Sequence, residues 1–542
     1  TNFHIALEEY NDAYLADQQS AALDEWPAEL LVWCAADREG LINNLRQTLA
    51  ALQAGARPCL RDLAFTLAQR IQSGVGAQTA TLVVTGIDVL EGPLGMLIAH
   101  LEDDSKPLPP GAAYAAQPLG AEGKIALLFA GQGSQYPNML RELALLFPEI
   151  PDVLARADEL LADEIEKSAG PGKRLSRLIY TPGLYSEDDE KAAKRRLMNT
   201  EITQPALGAI EAGMWHLLQR FGLKPDMTGG HSYGEFAALY AAGVIGLDDL
   251  LHISEARGRF IKEVSNGGDM GTMAAVRGER ELAEKIAVDY PDLLVANHNS
   301  PRQSILSGSR ASIEAVVEKL KQDGVDARVL QVGAAFHSPF VARARDRLAK
   351  ELDKLTMHKP QFEVYSNTTA ASHGDDVETI RSTMADHMAS PVEFVAEINA
   401  MYEAGARLFV GAGPKNVQIS LVNEILGDRP HETIRIDDHE GGLKGLLKGL
   451  GMLLANAAEI DIMPLFEGRD CQLVELSNLS NPAREKTIPA HAWLLNGGSA
   501  RPASQPPIQP LTLEQAQQMN AQHSVVQPTG EITAVNAGAH SA

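Results

Sequence analysis

A serine framed by small residues is the first place where this sequence could do chemistry. Gly230-His231-Ser232-Tyr233-Gly234 is a G-x-S-x-G that follows a predicted strand and precedes a predicted helix. Glycines on both sides permit a strained turn that lifts the Ser232 hydroxyl above a sheet, at the N-terminal end of the following helix. The alternative is a purely structural glycine turn. A serine hydroxyl is a poor nucleophile until a base takes its proton. The chain has 15 histidines, most of them on a surface or in structural roles. His231 adjoins the serine and shapes the turn, and His298 in ANHNS reads as a locally hydrogen-bonded strand residue. His337 in GAAFHSPF stands where a strand gives way to a proline-stopped loop, and Ser before His is the order an α/β core expects. No Asp or Glu between them stands out to orient the imidazole, a task a backbone carbonyl can perform.

Arg257 lies on the apolar face of a predicted helix, in register with Leu250, Ile253, Phe260, Ile261 and Val264. A buried guanidinium requires a carboxylate. Either an internal Asp or Glu supplies it, or the carboxylate of an acidic acyl substrate does, held by the bidentate fork of Arg. GQGSQ at 131–135 follows a strand but lacks the Lys-Ser/Thr of a phosphate loop and a full G-x-G-x-x-G, which argues against nucleotide binding. Its backbone could lend an oxyanion N–H from Gln132, with the second from Tyr233 just after the serine. The basic run KAAKRR, with Lys191, Lys194, Arg195 and Arg196, reads as a solvated helix face or as a site for coenzyme A phosphates or an acidic carrier protein.

These residues need a parallel α/β core to hold them. KIALLFAG reads as a buried strand, Leu207, Ile210, Met214, Leu217, Leu218 and Phe221 share one helix, and QFEVYSN and RLFVGAG return to the sheet. Residues 271–332 read strand, helix, strand, strand, helix, strand, a ferredoxin-like insertion. Before the core, residues 30–101 alternate strands and helices as a small α/β unit, and DDSKPLPPGAAYAAQPLGAEG connects the two. GGLKGLLKGLGMLLANAA is an amphipathic helix. The run from EIDIMPLFEGRD to IPAHAWLLNGG wraps over a surface, and disorder is expected from Ser499.

The chain has 542 residues, 45% of them hydrophobic and 22% charged, a globular composition with room for several cores. With 47 Lys and Arg against 71 Asp and Glu, the net charge of −24 argues against nucleic acid or an anionic membrane as partner. Cys34, Cys59 and Cys471 have no paired spacing, so neither a disulfide framework nor a cysteine-rich metal site is expected. No signal peptide or membrane span is evident, and a cytoplasmic location is expected. The chain opens without Met inside what reads as a strand, and is expected to be a piece of a longer protein.

GQGSQ, TQPAL at 203–207, GHSYGE, Arg257-Gly258, ANHNSP, AAFHS and SPVEF occur in one order over some 300 residues. In this the chain resembles the malonyl-CoA:acyl-carrier-protein acyltransferases embedded in polyketide and polyunsaturated-fatty-acid synthases. The resemblance implies an α/β-hydrolase-like parallel-sheet core with an inserted ferredoxin-like subdomain, preceded by a small α/β linker domain. It divides the chain into the end of a ketosynthase-like domain (1–18), a ketosynthase-to-acyltransferase linker (19–120), the acyltransferase (121–430, with 271–332 inserted), a post-acyltransferase helix and wrap (431–498) and a tail (499–542). It makes Ser232 the acylated nucleophile, His337 its base, Gln132 and Tyr233 the oxyanion donors, and Arg257 the clamp on a malonyl carboxylate. Glu393 in SPVEF would orient the histidine through its main-chain carbonyl. Gln204 and Asn299 would line the pocket, and Phe336 would crowd the α-methyl of methylmalonyl. No metal or resident cofactor is implied. The substrates would be malonyl-CoA and the phosphopantetheine arm of an acyl carrier protein, with a ketosynthase and other synthase domains as neighbours. GAGPKN at 411–416 departs from the family, which usually has an acidic residue near its first glycine. The rival expectations are a serine hydrolase such as an editing thioesterase, a starter acyltransferase for a neutral acyl group, and a catalytically idle docking module.

Overall fold

Lys124–Phe129, the apolar run KIALLF, is the central strand of a five-stranded sheet. Met227–Gly230 and then Glu363–Val364 lie on one side of it, Ala406–Gly411 and then Glu432–Arg435 on the other, and every pairing is parallel. Such strands are buried on both faces and connected through helices. Leu127, Leu128, Phe129, Phe409 and Val410 are fully buried accordingly. Thr200–Arg220, Gly234–Ala241 and Leu247–Ser265 supply the helical layer nearest the site. In such a sheet ligands bind beyond the carboxyl ends of the strands, here Phe129, Gly230 and Gly411. The structure, a computed structural model, describes residues 23–72, 78–183, 185–265, 270–330, 332, 334–437, 442–480, 493–496 and 499–502.

The insertion forms its own antiparallel sheet in the order Leu294–Ser300, Gln303–Gly308, Thr272–Arg277, Ala327–Val329, the ferredoxin-like arrangement. Ala274, Val276 and Leu306 point to its two helices, Arg280–Asp289 and Arg310–Gln322, where Ile313, Val316 and Leu320 meet them. Period-two alternation turns Met273 and Ile305 to the opposite face, toward the core.

In the N-terminal α/β unit, Glu29–Ala35 pairs antiparallel with Gln78–Val84, flanked by helices Arg38–Gln53, Leu60–Gln72 and Glu91–Glu102. The segment read from sequence as a connection contributes a third strand, Ala112–Tyr114, against Gln78–Val84. Three residues, two of them Ala, carry too little β-branched or aromatic signal to be recognised alone. Helix Gly442–Ala455 is amphipathic, as its spacing predicts: Leu443, Leu446, Leu447, Leu450, Leu453 and Leu454 are buried on one face, while Lys444 and Lys448 are exposed on the other. It packs on the N-terminal sheet and on the core strand Glu432–Arg435. A Cβ on its Gly451 would come within 2.6 Å of Thr81 Oγ1, which explains a glycine there.

The run after this helix does lie over the N-terminal unit. Val474 N donates to Thr66 Oγ1 at 2.9 Å, Gln472 N to Asp62 Oδ1 at 3.0 Å, and buried Arg469 pairs with Glu29. Trp493–Asn496 and Ser499–Pro502 form an antiparallel hairpin in a separate unit, so four residues expected to be disordered are paired strand. TNFHIALEEY, IPAHA and the tail beyond residue 502 fall outside the described residues. Among the described residues no helix is long and apolar enough to cross a membrane.

Candidate active site

Ser232 sits between the strand Met227–Gly230 and the helix Gly234–Ala241 with φ of 52°, a left-handed conformation a serine adopts only under constraint. A Cβ at Gly230 would fall 2.1 Å from the Gly234 carbonyl carbon, so the turn closes only with glycine. Asn367 braces it from the neighbouring strand end. Its Oδ1 accepts Ser232 N–H at 2.6 Å, and its Nδ2 donates to Gly230 O at 2.5 Å and to Glu397 Oε2 at 2.8 Å. Asn367 was not singled out from the sequence; a polar residue closing the apolar strand QFEVYSN was the available signal.

Ser232 Oγ donates to His337 Nε2 at 2.7 Å. His337 Nδ1 in turn donates to Ser390 O at 2.9 Å, with His387 O at 3.3 Å, which fixes the tautomer whose Nε2 can accept a proton. The orienting carbonyl is therefore that of Ser390 and not that of Glu393. Glu393 O is occupied by Glu397 N–H at 3.0 Å as the first carbonyl of the helix Phe394–Glu403, and the Glu393 carboxylate pairs with Arg280 at 2.6 Å. His337 is 3% exposed, and burial, the His387 ring and the Arg257 charge hold its pKa well below the ordinary 6.5. It is thus a neutral imidazole, ready as a base, at physiological pH.

Arg257 reaches the same cavity and is 2% exposed. Its Nε has no hydrogen-bond partner, and among the described residues no carboxylate forms an ion pair with it. Its cation lies near the Tyr233 and Phe236 rings, 6.0 and 5.7 Å from their centroids. Burial pushes its pKa down to about 10, so it stays charged. Glu235, the buried acid whose charge bears on it, is taken by His373 Nε2 at 2.8 Å and by Asn367 N–H at 3.0 Å.

Ser232, His337 and Arg257 share a cavity of about 170 Å³ with Gln132, His231, Met273, Asn297, Asn299, Ile305 and Phe336. Asn299 is held by His231 Nε2, which donates to its Oδ1 at 2.7 Å, and donates from Nδ2 to Gln303 Oε1 at 3.0 Å. Phe336 fills the wall beside the histidine and is 8% exposed. Gln204 does not line the cavity. Fully buried in its helix, it stands behind and donates from Nε2 to Gln132 Oε1 at 3.3 Å. The backbone N–H groups of Gln132 and Tyr233 donate to no acceptor among the described residues, while the Tyr233 phenol is tied to Ser254 Oγ at 2.5 Å. The cavity widens into a second of about 580 Å³, at whose wall Lys194, Arg328 and Lys415 bring cations. Lys191 is paired with Glu187 instead, and Arg195 and Arg196 do not reach this wall.

Residues 126–431 match the family described as the acyl transferase domain. A polyunsaturated fatty acid synthase protein of Thraustochytrium sp. is 34% identical over 330 residues, 59% of this chain and 11% of that protein. The malonyl CoA-acyl carrier protein transacylase of Bacillus subtilis is 31% identical over 323 residues, 58% of this chain and 94% of that protein. The solved structure of the malonyl CoA-acyl carrier protein transacylase of Coxiella burnetii aligns with a TM-score of 0.53 at 27% identity, covering 62% of this chain and 98% of that one. The chain thus spans about a tenth of the length of the synthase protein and nearly all of the bacterial transacylase's.

Proposed function

The chain belongs to the acyl transferase domain family, and from that premise we propose that it carries a malonyl group from coenzyme A, through an ester on Ser232, to the phosphopantetheine thiol of an acyl carrier protein. One observation carries the substrate assignment: a charged, buried guanidinium without an internal acid faces the same cavity as an activated serine. An uncompensated buried charge is costly, and a substrate carboxylate relieves it.

The steps follow from the geometry. Arg257 holds the malonyl carboxylate and so sets the thioester carbonyl against Ser232. As Oγ attacks the carbonyl carbon, His337 Nε2 takes the hydroxyl proton. The tetrahedral oxyanion is met by the N–H groups of Gln132 and Tyr233, the latter at the positive end of helix Gly234–Ala241. Collapse breaks the C–S bond, and the imidazolium returns its proton to the departing thiolate. The carrier thiol then runs the same sequence in reverse order, giving His337 its proton and attacking the ester. Lys194, Arg328 and Lys415 lie where the phosphates of either pantetheine-bearing substrate would pass. Phe336 and Met273 narrow the acyl pocket against an α-methyl, a filter worth about 1–3 kcal/mol.

The proposal extends to the setting. The N-terminal unit is the ketosynthase-to-acyltransferase linker (19–120); the acyltransferase, expected at 121–430, extends past that bound to take in its fifth strand, Glu432–Arg435, and the helix Gly442–Ala455 with the run to residue 480 returns to the linker. The whole works in the cytoplasm beside ketosynthase and carrier domains of a larger synthase, with no resident cofactor. The test is acylation of the chain by malonyl, methylmalonyl and acetyl thioesters, read by intact mass. A malonyl adduct on Ser232 that is stable in buffer and discharged by carrier protein is the expected result. Equal labelling by all three, or decay as fast without carrier as with it, would overturn transfer of malonyl in favour of a neutral starter or a hydrolase.

A further inference from the structure

One buried acid beneath the oxyanion donors has no part in the mechanism above. Glu211 stands midway along the helix Thr200–Arg220 and is fully buried. Its Oε1 accepts the Ala130 N–H at 2.8 Å, while Oε2 finds no partner among the described residues. Ala130 follows the end of the central strand and immediately precedes Gly131-Gln132; Gln132 lines the cavity, and its N–H donates to no acceptor among the described residues. The carboxyl is closely approached from the far side by a second loop. A Cβ at Gly413, in the loop after the adjacent strand Ala406–Gly411, would stand 2.8 Å from Oε1 and 2.9 Å from the Ala130 Cβ. One side chain therefore joins the helix to the two loops that leave neighbouring strands at their carboxyl ends.

Among the described residues no basic group compensates this acid, and burial raises its pKa well above the ordinary range, so it is an uncharged acceptor. A negative charge here would oppose the one that develops on the substrate oxygen a few residues away.

Resting on the transfer reading, we propose that Glu211 is a positioning residue: by anchoring the Ala130 N–H it sets the Gln132 N–H against the oxyanion, and so serves acylation and deacylation alike. Both half-reactions pass through the same tetrahedral charge, so a displaced donor slows both by a similar factor. A role in stability alone would instead reduce the fraction of molecules able to react.

Rapid-quench measurement on the full chain separates these, with malonyl-CoA for acylation of Ser232 and carrier protein for its discharge. Glu211→Leu is expected to slow both per-site rate constants about tenfold or more, short of the 10²–10³ typical of deleting an oxyanion donor outright. The burst amplitude and the affinity for malonyl-CoA should be unchanged. Glu211→Gln, which keeps an uncharged acceptor, is expected to stay within about threefold of wild type in both steps. Gly413→Ala, which crowds the carboxyl with Glu211 intact, should slow both steps as the Leu variant does, and decides the matter if that variant does not fold. Unaltered per-site rates in Gly413→Ala, a loss confined to burst amplitude, slowing of one half-reaction only, or a Gln variant as slow as the Leu one would overturn the proposal. Wild-type acylation in the same experiment keeps the two readings apart. If wild type takes malonyl and the variants are unslowed, only the role of Glu211 falls; if wild type takes no acyl group, the transfer reading falls with it.

Discussion

Arg257 brings a charge into a cavity where no described residue offers it an anion. Truncating one partner of a buried charge pair costs about 2–5 kcal/mol, so Arg257→Ala should lower kcat/KM for malonyl-CoA about 30-fold to several thousand-fold. The same change should raise turnover of acetyl-CoA, which has no carboxylate to place; an unaltered preference between the two thioesters would remove the clamp. Arg257 also bears on the histidine. Neutral His337 is the active form, and its pKa is held below 6.5 by burial first and by the Arg257 charge among the rest. The acid limb of kcat/KM should therefore have its midpoint below pH 6.5 in wild type, and that midpoint should move upward in Arg257→Ala, where one opposing cation is gone. A midpoint that stays put or moves down in the variant contradicts this electrostatic account. Ser232, His337 and Arg257 were legible because each has a side chain whose chemistry is unusual for its context: a hydroxyl between glycines, an imidazole at a strand end, a guanidinium on an apolar stripe. Ser390 was not, because it acts through a carbonyl that every residue possesses, and the resemblance pointed three residues too far along, to Glu393. Glu393→Gln should accordingly leave the pH profile unchanged and cost only the about 0.2–1 kcal/mol of a part-exposed ion pair with Arg280, seen as a small fall in Tm.

At the scale of elements, the serine turn owes its shape to the strand beside it. Asn367 closes the short strand Glu363–Val364 and its following loop, and its amide ties Ser232 N–H, Gly230 O and Glu397 together. Asn367→Ala leaves these buried groups unpaired at about 1–3 kcal/mol. It should lower the melting temperature and slow Ser232 acylation together, whereas full acylation at wild-type rate would show that the turn holds itself. The buried parallel strands and the ferredoxin-like order were readable because continuous apolar runs and clean alternation are signals carried by consecutive residues. Asn367 and the strand Ala112–Tyr114 were not, since the first matters through partners 30 to 137 positions away and the second is recruited by a sheet it barely enlarges.

Over the whole molecule, the chain after the core is tied to the chain before it. Arg469, with no exposed side-chain surface, pairs with Glu29 on the first described strand and lies 4.1 Å from the Trp26 ring centroid. Arg469→Ala strands a buried carboxylate, which costs about 3–5 kcal/mol. Thermal denaturation should show this loss, while the per-site rate of Ser232 labelling in the folded protein stays as in wild type; a fall in that rate would mean that the wrap reaches the site. Helix Gly442–Ala455 has a wider consequence. Its leucines are shared between the N-terminal sheet and the last core strand, so neither surface is complete without it. A version ending at residue 437, just past the last core strand, would leave a greasy trench wetted by solvent, prone to clump. Anyone transplanting this catalytic piece should move both flanks along with it, as a single cassette.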